Sequence, residues 1–262
     1  YEMVQQPDGK IILSGDIDFY DSKSVGKVIR LNLDGSHDRT LKANLPAGFI
    51  PVNMELMSSR NILLYDYSRV IKLGPNGGLK STLQINGISS VLPLPNDKIM
   101  VTTWSGGLYR YKANFTLDTA FPNQANFADG PIADVAIQGS QLVICGSFTT
   151  VNGVAKNDLA RLSLNGTVDS TFDTGMGTND WLSGIVINPV DGRIYLLTYM
   201  NAFDGVAGFF GMGRLDSNGA IDPLFRPITY SQPTEIFFTS DHKIVSSGYS
   251  GIVKFNDDGT PV

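Results

Sequence analysis

One cysteine, two histidines and three glutamates are all that this 262-residue chain holds of the residue types that most often build disulfides, metal centres and general acid–base pairs. Cys145 alone excludes an internal disulfide and a thiolate metal cluster. Its place in the apolar run Leu142-Val143-Ile144-Cys145 reads as a small buried hydrophobe. His37 and His242 stand at turn positions without metal-ligand spacing, which leaves a histidine metal site or a Ser-His-Asp triad without support. Glu2, Glu55 and Glu235 are far apart in sequence, and the other acids are aspartates, so the paired carboxylates of glycoside cleavage are poorly supplied. Glycine-rich stretches at 205–208 and 211–213 lack the strand-to-helix context and the Lys-Ser/Thr of a phosphate loop.

Charge and hydropathy exclude further classes. The 20 basic residues never cluster, and 25 acidic ones leave a net charge of −5, so nucleic acid is not an expected partner. No apolar run approaches the roughly 20 residues of a membrane-spanning helix, and no signal peptide is expected within these residues. The chain opens at Tyr1 without methionine and already in a strand-like run, which reads as an excised part of a longer protein.

What is present is a repeat. Six segments align on a basic anchor at Arg30, Lys72, Arg110, Arg161, Arg214 and Lys254, with a mean period of about 45 residues. The first runs Val28-Ile-Arg-Leu-Asn-Leu-Asp-Gly-Ser-His-Asp38 and the fourth Leu159-Ala-Arg-Leu-Ser-Leu-Asn-Gly-Thr-Val-Asp169. Upstream of each anchor a polar turn leads into an apolar strand, as in Pro7-Asp-Gly-Lys-Ile-Ile-Leu-Ser-Gly15 and Val190-Asp-Gly-Arg-Ile-Tyr-Leu-Leu-Thr198. Short runs rich in Val, Ile, Leu, Tyr and Phe, broken by Asp-Gly and Asn-Gly, are strand and hairpin chemistry. The 28 glycines, and aspartate far in excess of glutamate, favour turns over helices.

Four antiparallel strands per unit make a propeller blade. The expected fold is therefore all-β: one six-bladed β-propeller of four-stranded antiparallel blades spanning residues 1–262. Strand A, with small apolar residues such as Val135-Ala-Ile137, is expected innermost. The sixth blade is expected to be incomplete, because the chain ends eight residues after Lys254, and closure is expected from packing between the first and sixth blades or from residues of a longer chain.

The unit resembles the delta-60 repeat proteins of bacteria, whose repeat has the flavour DGKI-x-V-x-G-x-F, then a glycine, then LARLN-x-DG-x-D-x-x-F. Residues 142–172 carry the closest copy, 7–41 and 192–225 match nearly as well, and the repeats around Lys72 and Arg110 have lost the glycine after strand B. The resemblance implies a propeller, usually of large secreted or surface-attached bacterial proteins, and no particular chemistry.

Function is expected where loops are long. In an up-and-down blade the A–B and C–D turns share one end, and the B–C loops and blade-to-blade connections share the other. The long segments fall at the second end and carry Phe19, Tyr20, Trp104, Trp181, Phe203, Phe209, Phe210 and Tyr230, the candidate ligand-binding residues. No catalytic residue, metal or cofactor is assigned. Asp16, Asp18 and Asp21 could gather around calcium, but they lack the glycine and terminal acid of an EF-hand loop. Asn114-Phe-Thr and Asn165-Gly-Thr match the glycosylation sequon, yet each sits at a C–D turn where Asn serves the backbone. The reading is a non-catalytic binding or adhesion module, extracellular or at the cell surface, recognising a glycan or protein and contacting neighbouring domains. A purely architectural module, and a hydrolase or lyase using aspartates at a channel mouth, are the alternatives. Finally, acid follows base by eight residues in Arg30/Asp38, Arg110/Asp118, Arg161/Asp169 and Arg214/Asp222, which predicts four ion pairs across hairpins; the same register sets Lys72 against Lys80.

Overall fold

The computed structural model describes residues 2–178, 180–198, 202–207, 211–225, 227, 233–248 and 251–262. The strands pair antiparallel, and each repeat yields one main sheet. The first sheet orders β1 (Glu2–Gln5), β2 (Ile11–Ser14) and β5 (Val28–Leu31), with a ribbon of β3 (Phe19–Tyr20) and β4 (Lys23–Ser24) between β2 and β5 in sequence. The second orders β6 (Asn53–Leu56), β7 (Ile62–Tyr65), β8 (Arg69–Leu73) and β9 (Leu79–Gln84). The third orders β10 (Ile88–Pro93), β11 (Ile99–Thr103) and β12 (Leu108–Tyr111).

The fourth sheet orders β13 (Ile132–Gln138), β14 (Gln141–Gly146) and β17 (Leu159–Ser163), with a ribbon of β15 (Thr150–Val151) and β16 (Val154–Ala155). The fifth orders β18 (Leu182–Ile187), β19 (Ile194–Thr198) and β22 (Met212–Leu215), with a ribbon of β20 (Ala202–Phe203) and β21 (Val206–Ala207). The sixth orders β23 (Pro233–Phe238), β24 (Ile244–Gly248) and β25 (Gly251–Phe255).

The fourth strand is where structure and sequence part. Among the described residues only the second sheet has a full one, β9; elsewhere it shrinks to a single bridge, Leu31 to His37, Tyr111 to Leu117, Leu162 to Val168, Leu215 to Ile221 and Phe255 to Pro261. The cause is local. Asp38 Oδ1 accepts from Thr40 N at 2.9 Å, Asp169 Oδ1 from Thr171 N at 2.9 Å, and Asp222 Oδ1 from Leu224 N at 3.0 Å. Each is a side-chain turn that takes the backbone donor a longer strand would use. The second repeat has Lys80 in place of that acid, and its strand runs on. The sixth sheet, expected to be short, holds the same three strands and bridge as four of the others.

The C–D turns follow the expected three-residue geometry. Asn32 N donates to Ser36 O at 2.9 Å and Asp38 N to Arg30 O at 2.8 Å, with Gly35 at φ 79°, the left-handed region open to glycine. Lys72 and Lys80 do not oppose each other. Lys72 pairs with Ser81 and Leu73 with Leu79, so a bulge removes Lys80 from the ladder, and the Lys72 ammonium donates to the Ala113 carbonyl. His242, at φ 58°, is a turn residue as expected, whereas His37 forms the fourth-strand bridge of its sheet.

The chain divides into two compact units, residues 1–101 with 109–118, and residues 102–108 with 119–262. In the first, one core joins Ile12 and Val28 to Met54, Ile62 and Leu64 of the next sheet, and another joins Leu63, Tyr65 and Val70 to Ile88, Ile99 and Val101. In the second, Val143, Cys145, Leu159 and Phe172 pack on Ile185, Ile194 and Leu196, while Tyr195, Met212 and Phe225 pack on Ile236, Ile244 and Phe255. Each core thus lies between successive sheets, one repeat's residues against the next. First strands meet too: β1 packs on β6 and β13 on β18, where Ile185 N donates to Asp134 Oδ2 at 3.1 Å. Cys145 is wholly buried, and burial pushes its thiol well up, so it is an inert core residue.

Candidate ligand-binding surface

Trp104 and Trp181 come from repeats three and five, 77 positions apart in sequence, and meet edge to face with ring centroids 5.6 Å apart at 63°. Trp104 sits in the turn between β11 and β12, closed by Thr103 N to Gly107 O and Gly106 N to Thr103 O, both 3.0 Å. That turn lies tight on the segment entering the fourth sheet: a Cβ on Gly106 would come within 2.4 Å of the Ala128 carbonyl oxygen. Trp181 directly precedes β18 and is held at its backbone, where Thr198 Oγ1 donates to the Trp181 carbonyl at 2.5 Å. Both rings remain substantially open, Trp104 at 38% and Trp181 at 44%. Two indoles on fixed turns offer flat apolar faces and N–H donors at little entropic cost.

The other predicted aromatics scatter. Phe19 is 69% exposed on the ribbon β3–β4. Tyr20 folds back: its hydroxyl donates to the Gly35 carbonyl at 2.6 Å and its ring meets His37 edge to face, so this long-loop ribbon reaches a C–D turn that topology had assigned to the opposite end. Phe203 is not a surface residue. It is 1% exposed in the core with Phe172, Leu182 and Leu196, because its strand β20 bridges to Thr178 and turns the ring inward. Phe209, Phe210 and Tyr230 lie outside the described residues.

Aspartates organise the loops, a role the sequence did not reveal. Asp129 accepts from Thr149 N at 2.8 Å, Thr149 Oγ1 at 2.6 Å and Thr150 N at 2.9 Å, pinning the ribbon β15–β16. Partial burial works against its charge, but the threonine donors outweigh it and hold the carboxyl at about 2. Asp204 Oδ1 accepts from Met176 N at 2.9 Å, and Asp158 Oδ2 from Thr178 N at 2.9 Å, with burial pushing the Asp158 carboxyl up against those bonds. Asp16 and Asp18 both bind Lys27 Nζ, at 2.5 and 2.7 Å, which puts an ammonium where the calcium reading would put the ion. Among the described residues no three His, Cys, Asp or Glu side chains gather as metal ligands would.

The repeated ion pairs form a second system. Arg30, Arg110, Arg161 and Arg214 lie 2.7 to 2.9 Å from Asp38, Asp118, Asp169 and Asp222. Three of these arginines also reach onward: Arg30 Nη1 to the Pro75 carbonyl at 2.9 Å, Arg161 Nη1 to Ser217 O at 2.7 Å, and Arg214 Nη1 to Asp257 O. Those carbonyls all belong to the C–D turn of the following repeat. Arg161 and Arg214 also lie over the rings of Phe172 and Phe225, 4.8 and 4.5 Å from the centroids. The device read in sequence as a hairpin clasp therefore also fastens one sheet to the next.

A family described as "Domain of unknown function (DUF5122) beta-propeller" matches residues 6–41 and 141–172, the first and fourth repeats, each with its glycine after strand B and its Arg–Asp pair. The WD40 β-propeller domain of Doa1 superposes with a TM-score of 0.67 at 9% identity, over 96% of this chain and 76% of that one. The fold is propeller-like. The computationally designed Ika8 protein (TM-score 0.63, 11% identity) aligns with 98% of this chain and 71% of that one. A protein of unknown function from Bacteroides caccae (0.53, 8%) aligns with 97% and 92% respectively. At these identities the likeness is one of fold alone. No curated protein matches the sequence.

Proposed function

We propose that this chain is a non-catalytic binding propeller of the delta-60 repeat kind, each of its six sheets serving as one blade, and that it recognises a glycan or a protein through Trp104 and Trp181. The observation that carries this reading is the exposed edge-to-face pair of indoles, anchored by backbone bonds from repeats that are not neighbours in sequence. Exposed aromatics on rigid turns supply contact area without an ordering cost, and they stack on sugar rings and side chains alike. Support for a non-catalytic role comes from the aspartates: Asp129, Asp158 and Asp204 are engaged by backbone donors that hold loops. Residence outside the cell, at the surface of a bacterium, follows from the delta-60 resemblance.

The chain's two tryptophans are the proposed site, so its tryptophan fluorescence, excited selectively over the tyrosines, reports that site alone. A glycan array followed by fluorescence titration with each hit tests the reading. Saturable quenching or a spectral shift, lost in Trp181→Ala with the melting curve unchanged, is expected. Binding that leaves the fluorescence untouched and survives Trp181→Ala would overturn it.

A further inference from the structure

Glutamine meets the anchor arginine at two of the junctions between sheets. Gln6 and Gln138 are the last residues of the first strand to pair before the A–B turn, Gln6 N donating to Lys10 O and Gln138 pairing with Gln141. Arg30 Nη1 donates to Gln6 Oε1 at 3.4 Å, and Arg161 Nη1 to Gln138 Oε1 at 3.2 Å. Gln138 then crosses to the fifth repeat, its Nε2 donating to Gly192 O at 2.7 Å and to Ser217 O at 3.0 Å. One side chain thus plugs the gap between the fourth and fifth sheets.

The fifth repeat has Asn188 at that position, its N–H donating to Arg193 O across the turn. Its side chain is one methylene shorter, and Oδ1 turns back to accept from Val190 N at 2.9 Å. Arg214 Nη1 is met instead by the Tyr195 hydroxyl at 3.3 Å. A cleft of about 200 Å³ remains between the fifth and sixth sheets, lined on one side by Asn188, Asp191 and Arg193 and on the other by Phe238, His242 and Asp257. It lies within one compact unit, at the opposite end of β18 from Trp181.

We propose that this cleft binds a single neutral sugar ring, at a site that shares no residue with the tryptophan pair. Its volume is that of roughly six or seven water molecules at about 30 Å³ each, enough for one pyranose and too little for a nucleotide. The charges around it cancel. Asp257 Oδ1 lies 3.0 Å from Arg214 Nη1 and Oδ2 3.1 Å from Arg193 Nη1, while Asp191 Oδ2 lies 3.4 Å from Arg193 Nη1. Two carboxylates against two guanidiniums leave no excess for a phosphate or an ammonium ligand. Both carboxylates keep lone pairs open to solvent, since the Asp191 and Asp257 side chains are 37% and 53% exposed. A hydroxyl donates and accepts at once, so vicinal hydroxyls suit a rim that mixes carboxylate, guanidinium and amide. Phe238 and Ile244 supply an apolar wall for the C–H face of the ring, with Phe238 fixed against Tyr195 at 5.0 Å between centroids.

Saturation-transfer NMR of the whole chain tests it, with glucose, galactose, mannose, fucose and N-acetylglucosamine each at about 10 mM, which fills a site of millimolar Kd. A Trp181→Ala background disables the tryptophan pair, so failure of this site and failure of that one are read apart. Transfer to at least one sugar is expected, undiminished by an equal concentration of inorganic phosphate or ethanolamine. Asn188→Gln restores the plug that Gln138 provides and should abolish the transfer. Asp191→Ala removes an acceptor at an exposed side chain and should weaken binding by about tenfold, with melting unchanged. If Asn188→Gln melts below the background chain, Asp191→Ala decides. No transfer to any of the sugars, transfer that persists undiminished in the deciding variant, or displacement by phosphate or ethanolamine would each overturn the proposal.

Discussion

Arg161 Nε lies 2.9 Å from Asp169 Oδ2 across its own hairpin, and Arg161 Nη1 lies 2.7 Å from the Ser217 carbonyl of the following repeat. One guanidinium thus closes a turn and ties two sheets. Both side chains are nearly buried, so removing one partner strands the other in a poorly solvated place. Asp169→Ala is expected to cost about 2–4 kcal/mol in urea unfolding. Arg161→Met should cost less, since it removes the charge that needs a partner, and the double variant should be no worse than Asp169→Ala. Additive losses would show that the pair has no coupling.

Acid should find the same pairs. Donors from Lys10 first, then Thr40 and Arg30, hold the Asp38 carboxyl far below its ordinary 3.8, and donors from Thr171, Arg161 and Gln141 do the same for Asp169. Burial opposes both shifts and loses. A carboxylate depressed in the folded state contributes stability that is complete above the unfolded value and lost as pH falls through the folded one. The melting temperature should therefore hold from neutrality to about pH 4 and fall steeply below it. Asp38→Asn should melt lower at neutral pH with a flatter acid limb; a curve merely displaced by the same amount at every pH would contradict the assignment.

Two turn glycines separate backbone strain from docking. Gly35 and Gly219 both have positive φ, 79° and 98°, so alanine at either strains the backbone by about 1 kcal/mol. Around Gly35 there is open space, but a Cβ at Gly219 would stand 3.0 Å from the Phe172 ring and 3.1 Å from the Asp173 carbonyl oxygen. Gly219→Ala should lose a further 1–3 kcal/mol or so through overpacking between repeats. Equal losses at the two positions, measured by thermal melts, would mean that the junction yields.

The repeat, its strands and the Arg–Asp register were legible because each rests on local chemistry: hairpin turns, alternation, and a fixed offset that a three-residue loop converts into opposition. Three features were not. The loss of the fourth strand depends on whether the Asp38 carboxylate or the neighbouring strand accepts the Thr40 N–H, a competition spacing does not decide. The bulge takes Lys80 out of the ladder, where the regular register would set it against Lys72. The onward reach of each arginine spans repeats, so nothing within one repeat announces it. Sequence assigned both tryptophans to loops, and they lie outside the strands, but it could not distinguish an aromatic that faces out from one that plugs a core.

Phe203 and Phe19 test that distinction. Both were read from sequence as members of one binding set, and both lie on two-stranded ribbons of the same type, in the fifth and first repeats. Their surroundings differ completely. Phe203 is packed among Phe172, Leu182 and Leu196 with its strand bridged to Thr178, so truncation leaves a cavity that the bridged ribbon cannot close by collapsing. Phe203→Ala is expected to cost about 3–5 kcal/mol. Phe19, 69% exposed, has little packing to lose, and Phe19→Ala should stay within about 0.5 kcal/mol of the parent. Chemical unfolding of the two variants, read by far-UV circular dichroism so that no tryptophan is needed, should therefore separate them by several-fold in midpoint shift. A small effect at Phe203 would mean that its ring is free to leave the core, and would return it to the candidate binding residues.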